Sequence, residues 1–74
     1  MHIESLVRMA NQIGSFFEAM PDHDEAVDGV AQHLKKFWDP RMRRELLAQL
    51  ELGAEIGLKP IVVEAVRKHR GVLA

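Results

Sequence analysis

Residues 36–44 read KFWDPRMRR, and the fold turns on the Asp39-Pro40 pair in their middle. A residue that precedes proline is pushed out of the α region, so a helix arriving from the N-terminal side must stop near Trp38. Proline suits the first position of the next helix, where its missing N–H would have had no partner. Asp39 then reads as the N-cap of that helix, its carboxylate accepting the amide of Arg41 or Met42, a bond worth about 1 kcal/mol. The only tryptophan of the chain therefore ends one helix and is expected to anchor the corner, while three arginines crowd the first turns of the next.

On either side of this break the apolar spacing is helical. Ile3, Leu6, Ala10, Ile13, Phe17 and Met20 recur at three- and four-residue steps, which predicts a first helix ended by Pro21. Asp22 with Glu25 predicts a capping box for a second helix, whose stripe is Val27, Val30, Ala31, Leu34, Phe37 and Trp38. Its acids lie at the start and Lys35 and Lys36 at the end, as the helix dipole favours. The third helix runs from Pro40 to about Leu52, with Gly53 as its stop. Gly53 and Gly57 mark a loop. Pro60 opens a fourth helix carrying Val62, Ala65, Val66 and His69 on one side, with Gly71 closing it. Lys59, the residue before Pro60, is a poorer N-cap than Asp or Ser. The expectation is an all-α fold of four short helices, with residues 1–74 forming one domain.

Composition narrows the function. A chain of 74 residues with no cysteine offers neither disulfides nor thiolate chemistry and fits a reducing, cytoplasmic compartment. A core of this size seldom supplies more than roughly 3–5 kcal/mol, so partners commonly add stability. The formal charge of −1 gives no reason to expect a nucleic-acid or membrane partner. No apolar run approaches the roughly 20 residues of a bilayer span. The start, MHIESLVRMANQI, has Glu4 and no basic region before an unbroken apolar stretch, so it does not read as a signal peptide. His2, His23, His33 and His69 are far apart and form no metal-binding pair. Helix capping accounts for the acids at 22–28. No phosphate-binding loop and no catalytic or cofactor-binding residue is assigned.

Binding has better support. On a helical wheel the apolar arc of the first helix runs from Phe16 and Met9 round to Ile3 and Val7, roughly half the circumference, against the stripe of about 100° that a surface helix buries. Either this helix is central, or its Met9, Phe16 and Met20 flank meets another protein. Arg41, Arg43 and Arg44 stand where the helix backbone is already positive, at a cost of about 0.3–1 kcal/mol each if exposed. Arg43 falls within the arc of Met42, Leu46, Leu47 and Leu50, so its stem is expected on apolar surface. The arginines are either solvated or kept for an acidic partner, and arginine and tryptophan are common in binding hot spots. The candidate partner-binding set is Met9, Phe16, Met20, Phe37, Trp38, Arg41, Arg43 and Arg44.

The segments LVRMANQI (6–13), HLKKFWDPRMR (33–43) and GLKPIVVEAV (57–66) resemble the small delta subunit of cytoplasmic, NAD-dependent, molybdenum-containing formate dehydrogenases. FWDPRMR after an amphipathic helix is the most specific part. The resemblance implies a non-catalytic accessory subunit that binds the large subunits, the catalytic alpha subunit foremost. The molybdenum pterin, iron–sulfur, flavin and NAD sites would belong to those subunits, with none here. Two rivals come from other classes. One is a helix-turn-helix DNA-binding protein over residues 49–68, with Gly53, Gly57 and Val63 at the small, turn and core positions and with Arg67, Lys68 and Arg70 on the recognition helix. The other is a homo-oligomeric helical scaffold.

Overall fold

The computed structural model describes residues 2–53 and 55–74. Among these, α1 spans Ile3–Glu18, α2 His23–Phe37, α3 Pro40–Glu51, α4 Pro60–Lys68 and α5 Arg70–Leu73, with no strand. The all-α reading holds, with one correction. The last helix does not run on to Gly71: it ends at Lys68, and a single turn follows that contains Gly71. The break is at His69, whose backbone leaves the helical region at φ −109°, ψ 25°. Its imidazole is held by Asp28 of α2 at 2.7 Å, and the extra turn brings Leu73 into the core, where it is fully buried.

The caps are as the residue types require. Asp22 accepts the Glu25 amide at 3.1 Å and Asp39 the Arg41 amide at 2.7 Å. Gly53 adopts the left-handed φ of 74° that a helix-terminating glycine supplies. Lys59 gives α4 no side-chain cap. Asn11 of α1 instead brackets the preceding loop, donating to the Gly57 carbonyl and accepting from the Lys59 amide, both at 2.9 Å. A carboxamide offers a donor and an acceptor together, so one side chain fixes two backbone groups.

The core is a single cluster built from the inner faces of all five helices, with Leu6, Val27, Val30, Leu34, Leu46, Val62 and Val66 at its centre. α2 packs most extensively, against α1 on one side and α4 on the other. The wide apolar arc of α1 follows from its touching α2, α3 and α4 at once. Two close approaches depend on glycine. A Cβ on Gly14 would come within 2.8 Å of Val62 Cγ2, and one on Gly29 within 2.5 Å of the Phe17 ring. α1 can therefore lie close to α4, and Phe17 can settle directly on the backbone of α2.

Arg43 is the one buried charged side chain among the described residues, 8% exposed. Its Nη1 donates to the carbonyls of Lys35 at 2.9 Å and Trp38 at 3.1 Å, and its Nε donates to that of Leu73 at 3.2 Å. Lys35 and Trp38 lie at the C-terminal end of α2, where carbonyls lack helical partners and the dipole is negative. Among the described residues no carboxylate pairs with this cation; the end of a helix compensates it. Trp38 lies at the same corner, 5% exposed. The expectation that Arg43 faces a partner gives way to this arrangement: its side chain is buried, with Nε and Nη1 engaged inside the fold.

Two further links join α2 to α4 at the surface: His23 to Glu64 at 2.9 Å, and Asp28 to both His69 at 2.7 Å and Lys68 at 3.8 Å. The hydrogen bond from His23 to the Glu64 carboxylate, then the carboxylate charge, raises the His23 pKa above its ordinary value, with the charges of Asp24 and Asp22 adding to the effect.

Arg43→Lys should destabilise the chain by about 2–3 kcal/mol, because a point-like ammonium cannot serve three carbonyls set around a planar fork. Chemical denaturation measures this, and an unchanged midpoint would show that solvent satisfies these carbonyls. His23 gives a second expectation. Because folding raises its pKa, the pair contributes fully below the unfolded value of about 6.5, and the contribution fades as pH climbs through the folded value above it. Melting temperature should therefore fall across that window by more in the wild type than in His23→Gln; parallel curves would dismiss the pair.

Candidate functional site

The largest exposed apolar side chains on one side of the molecule are Phe16 and Phe37, 72% and 71% exposed. They flank an open groove of about 510 Å³ between α1, the C-terminal half of α2 and the start of α3. Helical spacing produces it. Met9, Gln12, Ile13 and Phe16 fall on one side of α1, and His33 and Phe37, four apart, on the adjoining side of α2. Trp38 and Met42 close the end where α2 gives way to α3. Phe17 also lines the groove, and its seat on Gly29 turns its neighbour Phe16 outward.

The rings form a continuous run. Phe16 meets Phe17 edge to face, with centroids 5.1 Å apart. Phe17 lies 6.3 Å from His33, and His33 lies 4.7 Å from Phe37 in a tilted stack. His33 makes no side-chain hydrogen bond among the described residues, so its ring offers a polar point within an apolar wall.

Of the residues expected at a partner surface, Met9, Phe16, Phe37 and Trp38 come together here, Trp38 as a buried flank rather than an exposed anchor. Met20 does not join them; it lies just past the C-terminal end of α1, on a different side, beside Pro21, Ala26 and Ile61. Arg41 and Arg44 are exposed, Arg44 bonding only its own turn at the Pro40 carbonyl, 3.3 Å away. The three arginines thus divide into one structural residue and two surface cations. Sequence reading missed Gln12, His33 and Met42. His33 carried a usable signal, standing four residues before Phe37 on one helical face.

The described residues contain no cluster of three or more histidine or acidic side chains placed to hold a metal. No helix among them is long and apolar enough to cross a membrane. Nor do α3 and α4 form a helix-turn-helix pair. Residues 52–59 separate them, and they share no substantial contact. Two of the three cations assigned to recognition are paired, Lys68 with Asp28 and Arg70 with Glu51.

Curated proteins and solved structures give no significant match. Residues 5–66 match the family described as NADH-dependent formate dehydrogenase delta subunit FdsD, which takes in α2 and α3 whole and most of α1 and α4. The chain belongs to that delta-subunit family.

Proposed function

We propose that the chain is a non-catalytic accessory subunit of a cytoplasmic, NAD-dependent formate dehydrogenase, and that its aromatic groove docks on the large subunits, the catalytic alpha subunit foremost. The observation that carries this reading is the pair of phenylalanines more than two-thirds exposed beside the groove, in a member of a subunit family. Exposed apolar area of this kind is a mark of interaction surfaces. Met9, Phe16 and Phe37 supply the contact area, Trp38 supports it from the corner, and Arg41 and Arg44 provide charge next to it. Arg43 and Met20 act through the fold. The role is to support assembly and stability of the holoenzyme, with molybdenum, iron–sulfur and flavin chemistry confined to the large subunits.

Phe16→Ser with Phe37→Ser should change the melting temperature of the isolated chain little, since both rings are largely in water already. The same variant should fail to copurify with the large subunits. A folded double variant that still copurifies would remove the groove from the interface. Elemental and flavin analysis of the purified chain alone should find none of the three cofactors; stoichiometric molybdenum, iron or flavin would overturn the non-catalytic reading.

A further inference from the structure

We infer that in the free chain the aromatic groove is covered by the groove of a second copy, in a weak two-fold dimer that comes apart before the subunit docks on its larger partners. The dimer stands on the groove's own geometry; only its competition with docking rests on the function proposed above.

The face carries both halves of a contact. Phe16 projects from the α1 wall and Phe37 from the α2 wall, each more than two-thirds exposed. Between them lie Met9, Met42, Phe17 and Trp38, thioether and aromatic surface of the kind that receives an inserted ring. A two-fold axis through the groove sets the projecting rings of each copy against the lining of the other, so one patch is knob and hole at once. Among the described residues no aspartate, glutamate, lysine or arginine lines the groove. Two copies therefore bury no like charges there.

The charges beside the groove point the same way. At the α2–α3 corner the exposed Lys36 and Arg41 stand with the exposed Asp39 and the half-buried Glu45. None of the four has an ion-pair partner among the described residues. Two bases and two acids cancel, so the corner favours neither an acidic nor a basic surface. It does suit a copy of itself, because a two-fold pairing can set the bases of one chain beside the acids of the other.

The area fixes the strength. Two phenylalanines at that exposure present roughly 300 Å² per copy, or about 600 Å² in a pair, against the about 1,200 Å² from which stable complexes start. Half-buried Met9, Ile13 and Met42 add a smaller share. The contact is of the weak, reversible class, and the dilute chain is monomeric with both rings in water. A partner that binds the same groove more tightly displaces it by mass action.

Sedimentation velocity of the isolated chain, from micromolar to millimolar concentration, should show the average mass rising from 8.4 kDa toward twice that value. Phe16→Ser with Phe37→Ser should stay monomeric throughout. The chain has no cysteine, so Gln12→Cys puts a single thiol on the groove, and Arg67→Cys puts one on α4 away from it. Under mild oxidation the first should form a disulfide-linked dimer about tenfold faster than the second, because dimerisation raises the local thiol concentration only at the groove. The linked Gln12→Cys dimer should fail to bind the large subunits until it is reduced. A monomer at every concentration, a dimer that survives the double serine substitution, or equal rates for the two cysteines would overturn the groove-to-groove dimer. A linked dimer that binds the large subunits unreduced would instead overturn the competition, and with it the docking reading, while the dimer stood.

Discussion

The guanidinium of Arg43 is the contact on which the rest of this molecule depends. It stands on α3, yet its three hydrogen bonds go to the end of α2 and to the terminal turn α5. A buried cation without a carboxylate would ordinarily be costly. Here the unpaired carbonyls at the end of α2 supply both the acceptors and the negative end of a dipole. One side chain therefore closes the Trp38 corner, sets the direction of α3 and holds the last turn in place. Asp39 and Pro40 begin α3 at the position from which Arg43 can reach back.

Once that corner is fixed, the groove follows. α2 is gripped by α1 and α4 along its length, and Phe17 rests on Gly29 because no Cβ stands in its way. The outward face of α1 then has no helix to cover it beyond Ile13. Phe16 and Phe37 are left at the surface, and Met9 is half-buried between the core and the groove. So small a chain has a limited core, and leaving two phenylalanines in water gives up stability that a partner can return.

The polarity of α2 has a similar origin. Acids gather at the start of α2 and bases at its end because each suits the dipole of that helix. The same local preference gives α2 an acidic start and a basic end. The basic end of α2 is the one beside the aromatic groove. His23 at the acidic start of α2, paired with Glu64, adds a polar tie between α2 and α4 at the rim of their apolar contact.

The sequence by itself determined the helices and their caps. Asp22, Asp39, Pro40, Gly53 and Pro60 act through neighbours a few residues away, so their effect is local and legible in one dimension. The delta-subunit resemblance was legible for the same reason, being carried by contiguous segments such as FWDPRMR. The split of the arginines could not be read this way. Arg41, Arg43 and Arg44 share one residue type and one helix turn, and only the arrival of α2 and Leu73 beside position 43 separates a structural cation from two surface ones. Its place inside an apolar arc hinted at burial without showing which acceptors made burial possible. The separation of Met20 from Met9 and Phe16, the bracket that Asn11 places on the α4 loop and the break at His69 are likewise long-range. Each depends on which helix lies opposite, and that is decided when the apolar faces pack together rather than by any residue and its neighbours in sequence.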